Sequence, residues 1–157
     1  GATTLWEKWS GQASHNHQMF GSVDEFFYKF LAGLRAPTNQ GTSRGYKHIR
    51  IKPFVPDDLS SVEASLETVN GKVSSGWENQ DESFSLQVTV PANTTAEICV
   101  PLLSQEDIQI NEGADKVWDD GSFAGDVNGI KSAGKEEDCI VFSVDSGTYQ
   151  FTLKKDQ

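Results

Sequence analysis

The segment TTLWEKW, near the start of the chain, places the carboxylate of Glu7 between the indoles of Trp6 and Trp9. His15 and His17 follow within the next eight residues, in SHNHQMFGS. Indole faces can cover the apolar face of a sugar ring, while a carboxylate can accept hydrogen bonds from hydroxyl groups or transfer protons. The residue types therefore indicate a sugar site. A solvated amphipathic turn is the simpler alternative if these residues are considered alone.

A metal site is the second chemistry that this segment could support. Glu7, His15 and His17 are all ligand types, but an H-x-H pair near a carboxylate is common by chance and does not match the spacing of zinc sites. The acidic turn at 119–121 likewise does not match a calcium-binding EF-hand loop. We therefore predict no metal and no cofactor.

Composition limits the classes of partner. The chain has 157 residues, which suits one domain or one domain with part of another, and a net charge of -10. Such an acidic surface repels phosphate backbones and anionic headgroups, so we predict neither a nucleic-acid nor a membrane partner. The chain starts at Gly1 without an initiator Met or a basic and apolar leader, which indicates a cut at this position. Cys99 and Cys139 lie in separate apolar runs, so two free thiols are the simplest interpretation and a disulfide is the alternative.

The spacing of apolar residues, which predicts the elements that position these side chains, changes near Pro37. Apolar residues at helical spacing predict a helix over residues 19–34, with Gly33 and Pro37 as stop signals. This helix is apolar on nearly all sides, and such helices are normally buried between other helices. It must therefore pack on the β-sandwich that the pattern of residues 46–157 predicts, on a second copy of the chain by self-association, or on a missing helical domain. We favour the missing domain.

After Gly45 the apolar residues alternate with a period of two, as in half-buried strands. The pair Asn70-Gly71 predicts a hairpin, and about eight short strands can be counted. The predicted fold is mainly β: an antiparallel β-sandwich over residues 46–157, preceded by a helical remnant over 1–36 and a linker over 37–45. Residues 104–138 give weaker patterns. Trp77 and Trp118 are either core residues or sugar platforms.

The motifs also resemble a known family. GATTLWEKW at 1–9 and SHNHQMFGSV at 14–23 resemble the end of the catalytic domain of bacterial α-L-rhamnosidases. GYKHIRIKP at 45–53, VTVPANTT at 88–95 and DSGTY at 145–149 look like the β-sandwich that follows that domain. The resemblance implies that residues 1–36 are the last part of an (α/α)6 barrel. It also implies an enzyme that hydrolyses terminal α-L-rhamnose with inversion.

Roles for four residues follow from this resemblance. Glu7 falls on the glutamate of the family motif TTxWExW, which implies that it is the general base. Trp6, Trp9 and His17 fall on motif positions expected to bind the sugar. His15 is not a motif position and is expected to be an ordinary polar loop residue.

The resemblance also implies that the chain is incomplete as an enzyme. Inverting hydrolysis needs two carboxyl groups roughly 6.5–9.5 Å apart, and the general acid of the family lies earlier in the barrel. We therefore expect no activity from this chain alone, with the missing part of the catalytic domain and a rhamnose-containing glycan as its partners. A non-catalytic carbohydrate-binding or structural sandwich of another glycosidase is the alternative function. The substrate class favours a periplasmic or secreted protein over a cytoplasmic one, while linkage, aglycone and oligomeric state stay open.

Overall fold

The computed structural model describes residues 2–35, 44–105, 108–125 and 127–155. The first of these ranges is mostly irregular and contains three short helical elements: a 3-10 turn at Gln18–Gly21, the α-helix α1 at Val23–Phe26, and a π-helical turn at Phe27–Leu31. A further 3-10 turn spans Arg44–Tyr46. Within the described residues, no helix is long and apolar enough to cross a membrane.

The remaining described chain is built from strands. In chain order they are β1 Leu34–Arg35, β2 His48–Ile51, β3 Ser61–Thr68, β4 Gly71–Asn79, β5 Ser83–Val90, β6 Thr95–Pro101, β7 Ile110–Glu112, β8 Asp115–Asp119, β9 Ser122–Phe123, β10 Ile130–Lys135, β11 Cys139–Val144 and β12 Gly147–Lys154.

The strands form two sheets that pack face to face as a sandwich. One sheet has the order β1-β2-β6-β11-β10, and the other has the order β3-β4-β5-β12-β7-β8-β9. All pairings are antiparallel except β2 with β6, where Ile49 lies beside Ala96 and Ile51 beside Ile98. The predicted antiparallel β-sandwich is confirmed, with this one parallel pair added.

The core between the sheets is made of the inward-facing residues of the alternating strands. Phe142 of β11 stacks on Phe151 of β12 with ring centroids 4.7 Å apart, and this contact joins the two sheets. Trp77 and Trp118 are 1% and 4% exposed and belong to the same core. Both indoles are therefore structural, and neither offers a sugar platform.

The hairpin predicted at Asn70-Gly71 is present, but its register differs by one residue. Thr68 pairs with Gly71, so the two loop residues are Val69 and Asn70. The Thr68 hydroxyl accepts a hydrogen bond from the Asn70 N–H at 3.1 Å and donates to the Gly71 carbonyl at 2.7 Å. Asn70 does not adopt the positive φ that a turn centred on Asn70-Gly71 would require. These two side-chain bonds stabilise the turn instead.

The helix predicted over residues 19–34 is wrong in length and regularity. Three short elements replace it, helical structure ends at Leu31, and Leu34 and Arg35 pair with Ile51 and Arg50 as a strand. Gly33 has φ +75°, which ends the helical conformation just before this strand. Most of the predicted linker lies outside the described residues.

Candidate active site

The two candidate motifs lie side by side because their backbones pair. The Glu7 N–H donates to the Ser14 carbonyl at 2.9 Å, and the His17 N–H donates to the Leu5 carbonyl at 2.7 Å. The Thr4 hydroxyl adds a hydrogen bond to the His15 carbonyl. The chain returns between the two pairing segments through positive-φ residues at Gly11 and Ala13. The pairing fixes which side chains of the two motifs can meet.

Glu7 and His17 are brought together by this pairing. The Glu7 Oε2 atom lies 3.6 Å from His17 Nδ1 and accepts a hydrogen bond from the Ser14 N–H at 3.3 Å. The two side chains are 37% and 32% exposed. The carboxylate is thus anchored through one oxygen, in a position still open to solvent.

Trp6 is oriented by His15, which the sequence predicts to be an ordinary polar loop residue. The His15 ring stacks on the Trp6 indole, with centroids 4.5 Å apart and planes 14° apart. His15 Nε2 donates to the Gly11 carbonyl at 2.8 Å, which fixes the imidazole. A Cβ on Gly11 would lie 3.3 Å from the indole. The H-x-H spacing is the sequence signal for this arrangement, because His15 contacts Trp6 and His17 contacts Glu7.

Trp9 is not brought to this group. Its side chain is 94% exposed, so within the described residues it does not share a wall with Trp6 or Glu7. On the other side of the group, the His17 ring lies 5.3 Å from the Phe20 ring. That contact links the candidate site to the helical elements that follow.

The helical elements expose a large apolar surface. Phe26 stacks on Phe30 with centroids 5.5 Å apart, and both rings are nearly half exposed. The other exposed apolar side chains in this part of the chain are Leu5, Met19, Phe20, Val23, Phe27 and Tyr28. Patches of this kind on a folded domain mark a surface that contacts another protein element.

The segment that follows is, in contrast, fixed tightly to the sandwich. The carbonyls of the four consecutive residues 30–33 each accept a hydrogen bond from a residue of the sandwich or of the chain that follows β2. The donors are the Phe54 N–H at 2.8 Å, the Trp77 indole N–H at 2.7 Å, the Ser75 hydroxyl at 2.7 Å and the Lys52 N–H at 3.0 Å. We call residues 30–33 the junction. It holds the end of the helical elements on the sandwich.

A second concave feature lies on the outer face of the larger sheet. A groove of about 470 Å³ runs over β3, β4, β5 and β12, and its lining is mostly Ser, Thr, Glu and Gln side chains. Trp77 contributes to the lining but is only 1% exposed. The groove therefore offers hydrogen bonds without an aromatic stacking surface.

These features define the class of protein: a β-sandwich domain preceded by a short, partly helical segment that carries a carboxylate between two Trp residues and is hydrogen-bonded to the sandwich. Two family models match the chain. Residues 1–31 match the bacterial α-L-rhamnosidase 6 hairpin glycosidase domain, and residues 33–115 match the bacterial α-L-rhamnosidase C-terminal domain. The chain belongs to the bacterial α-L-rhamnosidase family.

Relatives and solved structures agree with this assignment. An α-L-rhamnosidase of Formosa agariphila is 34% identical over 98% of this chain and 16% of its own length. One from Streptomyces avermitilis is 30% identical over 98% of this chain and 14% of its own length. The chain thus spans about a sixth of these curated relatives.

Among solved structures, the α-L-rhamnosidase from Dictyoglumus thermophilum matches with a TM-score of 0.77 at 34% identity, over 98% of this chain and 16% of that one. The Streptomyces avermitilis enzyme complexed with L-rhamnose matches with a TM-score of 0.64 at 31% identity, over 88% of this chain and 11% of that one. The chain therefore corresponds to the C-terminal region of such an enzyme.

Proposed function

We propose that the enzyme containing this region hydrolyses terminal α-L-rhamnose from glycans with inversion, and that Glu7 is its general base. Residues 1–36 then belong to the catalytic barrel, and residues 46–157 form the sandwich behind it. The observation that carries the proposal is the anchored Glu7 carboxylate, bonded by the Ser14 N–H and lying 3.6 Å from His17. Both contacts use Oε2, so among the described residues Oε1 is the oxygen that can accept a proton from the attacking water.

The neighbouring aromatic residues have binding roles in this proposal. Trp6, held by His15, covers one side of the sugar, and His17 bonds a sugar hydroxyl beside the base. Trp9 completes the subsite only with the rest of the barrel, because its side chain is 94% exposed here. The large apolar surface around Phe26 and Phe30 supports the same arrangement, since further barrel helices would cover it.

The isolated chain is proposed to be inactive because a general base without its general acid cannot complete inverting hydrolysis. An aryl α-L-rhamnoside assay tests this directly. Turnover by the chain above that of its Glu7→Gln variant would refute it.

The role of Glu7 is tested in the longer enzyme. Glu7→Gln keeps the shape of the side chain and removes the base, so kcat should fall by about 10²–10⁴-fold. Glu25→Gln is the matched control, because Glu25 is an exposed carboxylate of α1 that pairs with Lys29 of the following π-helical turn. Inversion predicts that NMR detects β-L-rhamnose before the anomers equilibrate. Equal rates for the two variants would remove Glu7 from the mechanism.

The outer groove supports a second candidate function, a glycan-binding sandwich that takes no part in catalysis. Its polar lining suits neutral hydroxyl-rich ligands, although the buried Trp77 denies it a stacking surface. Titration of the full chain with rhamnose-containing oligosaccharides tests this. Binding that is lost in Gln87→Ala and kept in Glu7→Gln would favour the groove.

A further inference from the structure

Two thiols lie together on the outer face of the smaller sheet. In the β6–β11 pair, Cys99 lies opposite Val141 and Cys139 lies opposite Pro101, so the two cysteines are diagonal neighbours on one face. Their neighbours Ile98 and Ile140 point into the core, which places both thiols on the opposite side. They are nevertheless only 1% and 2% exposed, and both are free.

Ion pairs lie beside the two thiols. Arg50 of β2 donates to Glu97 at 2.9 Å and to Glu136 at 2.6 Å, and Lys52 donates to Asp138 at 2.7 Å. These two cations and three carboxylates leave about one negative charge next to the thiols while both stay protonated.

The thiols differ in acidity. The hydrogen bond between Cys139 and Cys99 lowers the pKa of Cys99, and the nearby Arg50 guanidinium lowers it further. The same hydrogen bond raises the pKa of Cys139, with burial adding to the effect. The two thiols are therefore close enough to act on one another, and a cation that reaches one sulfur atom also reaches the other.

The ligand atoms are spaced for such a cation. Both Sγ atoms and a carboxylate oxygen of Glu136 lie within 4.8 Å of one another. Sulfur and oxygen ligands on one tetrahedral zinc ion lie about 3.6–3.8 Å apart, so closing onto an ion needs shifts of about 1 Å. A disulfide suits the site less well, because diagonal partners across strands have Cα atoms roughly 7–8 Å apart and disulfides usually need less than about 6.8 Å.

We propose that Cys99, Cys139 and Glu136 bind a thiophilic divalent metal ion, with zinc as the preferred ion and water in the fourth position. Binding releases the two thiol protons to solvent and forms two metal–sulfur bonds and one metal–oxygen bond. Exchange of two protons for one divalent ion leaves the net charge of the cluster unchanged, so Arg50 and Lys52 need not leave. Arg50 keeps Glu97 as its partner when Glu136 turns to the ion.

Cobalt serves as the spectroscopic probe, because it takes zinc sites and its thiolate charge-transfer absorption reports metal–sulfur bonds. The full chain, reduced and stripped with a chelator, is titrated with Co²⁺ and then with Zn²⁺. We expect the band to saturate at one equivalent and Zn²⁺ to displace it. Cys99→Ala and Cys139→Ala should abolish the band, and Glu136→Gln should weaken cobalt binding at least about tenfold.

Glu137→Gln is the matched control, because Glu137 is the exposed neighbour of Glu136 and lies outside the group of ligand atoms. It should bind like the parent chain. The proposal is overturned by the absence of a band at one equivalent, or by equal metal affinity in a variant lacking both cysteines. If the cysteine variants fail to fold, alkylation of the thiols in the parent chain decides: Zn²⁺ should slow it at least tenfold, and an unchanged rate refutes the site.

Discussion

Gly33 allows the sharpest test of how the candidate site is attached to the sandwich. Its φ is +75°, and a Cβ placed there would lie 2.3 Å from both the Lys52 carbonyl carbon and the Pro53 nitrogen. Those atoms belong to the backbone and cannot rotate away as a side-chain tip can. Gly33→Ala therefore strains its own conformation and also pushes the chain after β2 away from the junction.

The expected loss of stability can be built from three contributions. A left-handed φ costs an alanine about 1–2 kcal/mol, and overpacking against fixed atoms costs about 1–3 kcal/mol. Loss of the bond from the Lys52 N–H to the Gly33 carbonyl, 3.0 Å long, adds about 0.5–1.5 kcal/mol. Together they remove about 2.5–6.5 kcal/mol, a large part of the roughly 5–15 kcal/mol that holds a typical domain folded.

Gly113→Ala is the matched control for backbone conformation. Gly113 also has a positive φ, +55°, but a Cβ there would meet no heavy atom of the described residues within 4 Å. We expect this control to lose only about 1–2 kcal/mol. Urea unfolding of the full chain, followed by far-ultraviolet circular dichroism, should show the difference. Equal losses for the two variants would refute the close approach at the junction.

Three further predictions concern other parts of the molecule. Trp77→Phe removes the indole N–H that donates to the buried Leu31 carbonyl at 2.7 Å. It should therefore lower the free energy of unfolding by about 1–3 kcal/mol. An unchanged urea midpoint would contradict this. The exposed rings of Phe26 and Phe30 should make the isolated chain self-associate. In sedimentation velocity, the double variant Phe26→Glu with Phe30→Glu should be more monomeric than the parent chain. A monomeric parent chain would contradict this. Tyr149 donates to the Asp145 and Gly129 carbonyls, and burial first, then Asp145 and Glu112, raises its pKa. The unfolded chain loses this proton near pH 10 and the folded chain at a higher pH. The stability tied to the protonated hydroxyl is therefore complete below about pH 10 and declines as the pH rises through the folded pKa. Tyr149→Phe should be less stable by about 0.5–1.5 kcal/mol at pH 8 and should lack this decline, so parallel pH profiles would refute it.

Alternation of apolar residues was enough to locate most of the sandwich. The strands that contain Ile49, Leu86 and Phe142 bury every second residue, with Cys139 buried in addition, and this alternation can be read from the sequence. β10 could not be found in this way, because only Ile130 among its six residues is buried. β1 has two residues and exists because Leu34 pairs with Ile51, a contact that no local pattern encodes.

The candidate site was predictable only in part, for a similar reason. Glu7 and His17 were assigned by resemblance, and the Glu7–Ser14 backbone pairing that brings them together involves residues without a distinctive pattern. The stacking of His15 on Trp6 depends on the same pairing. Cys99 and Cys139 lack metal-site spacing in the sequence, since their proximity is set by the register between β6 and β11.

The hydrogen bonds of residues 30–33 determine where this protein can be divided into domains. An exchange of accessory domains would normally be planned at a linker, such as the one predicted at 37–45. A cut there would leave β1 with the helical part of the chain, and the sandwich would lose the strand that pairs with β2. The two family models instead meet between residues 31 and 33, inside the bonded segment. A chimera that keeps the recipient's fold would therefore have to transfer Leu34 and Arg35 with the sandwich and preserve the donors on β4. Recombination between relatives would be under the same restriction.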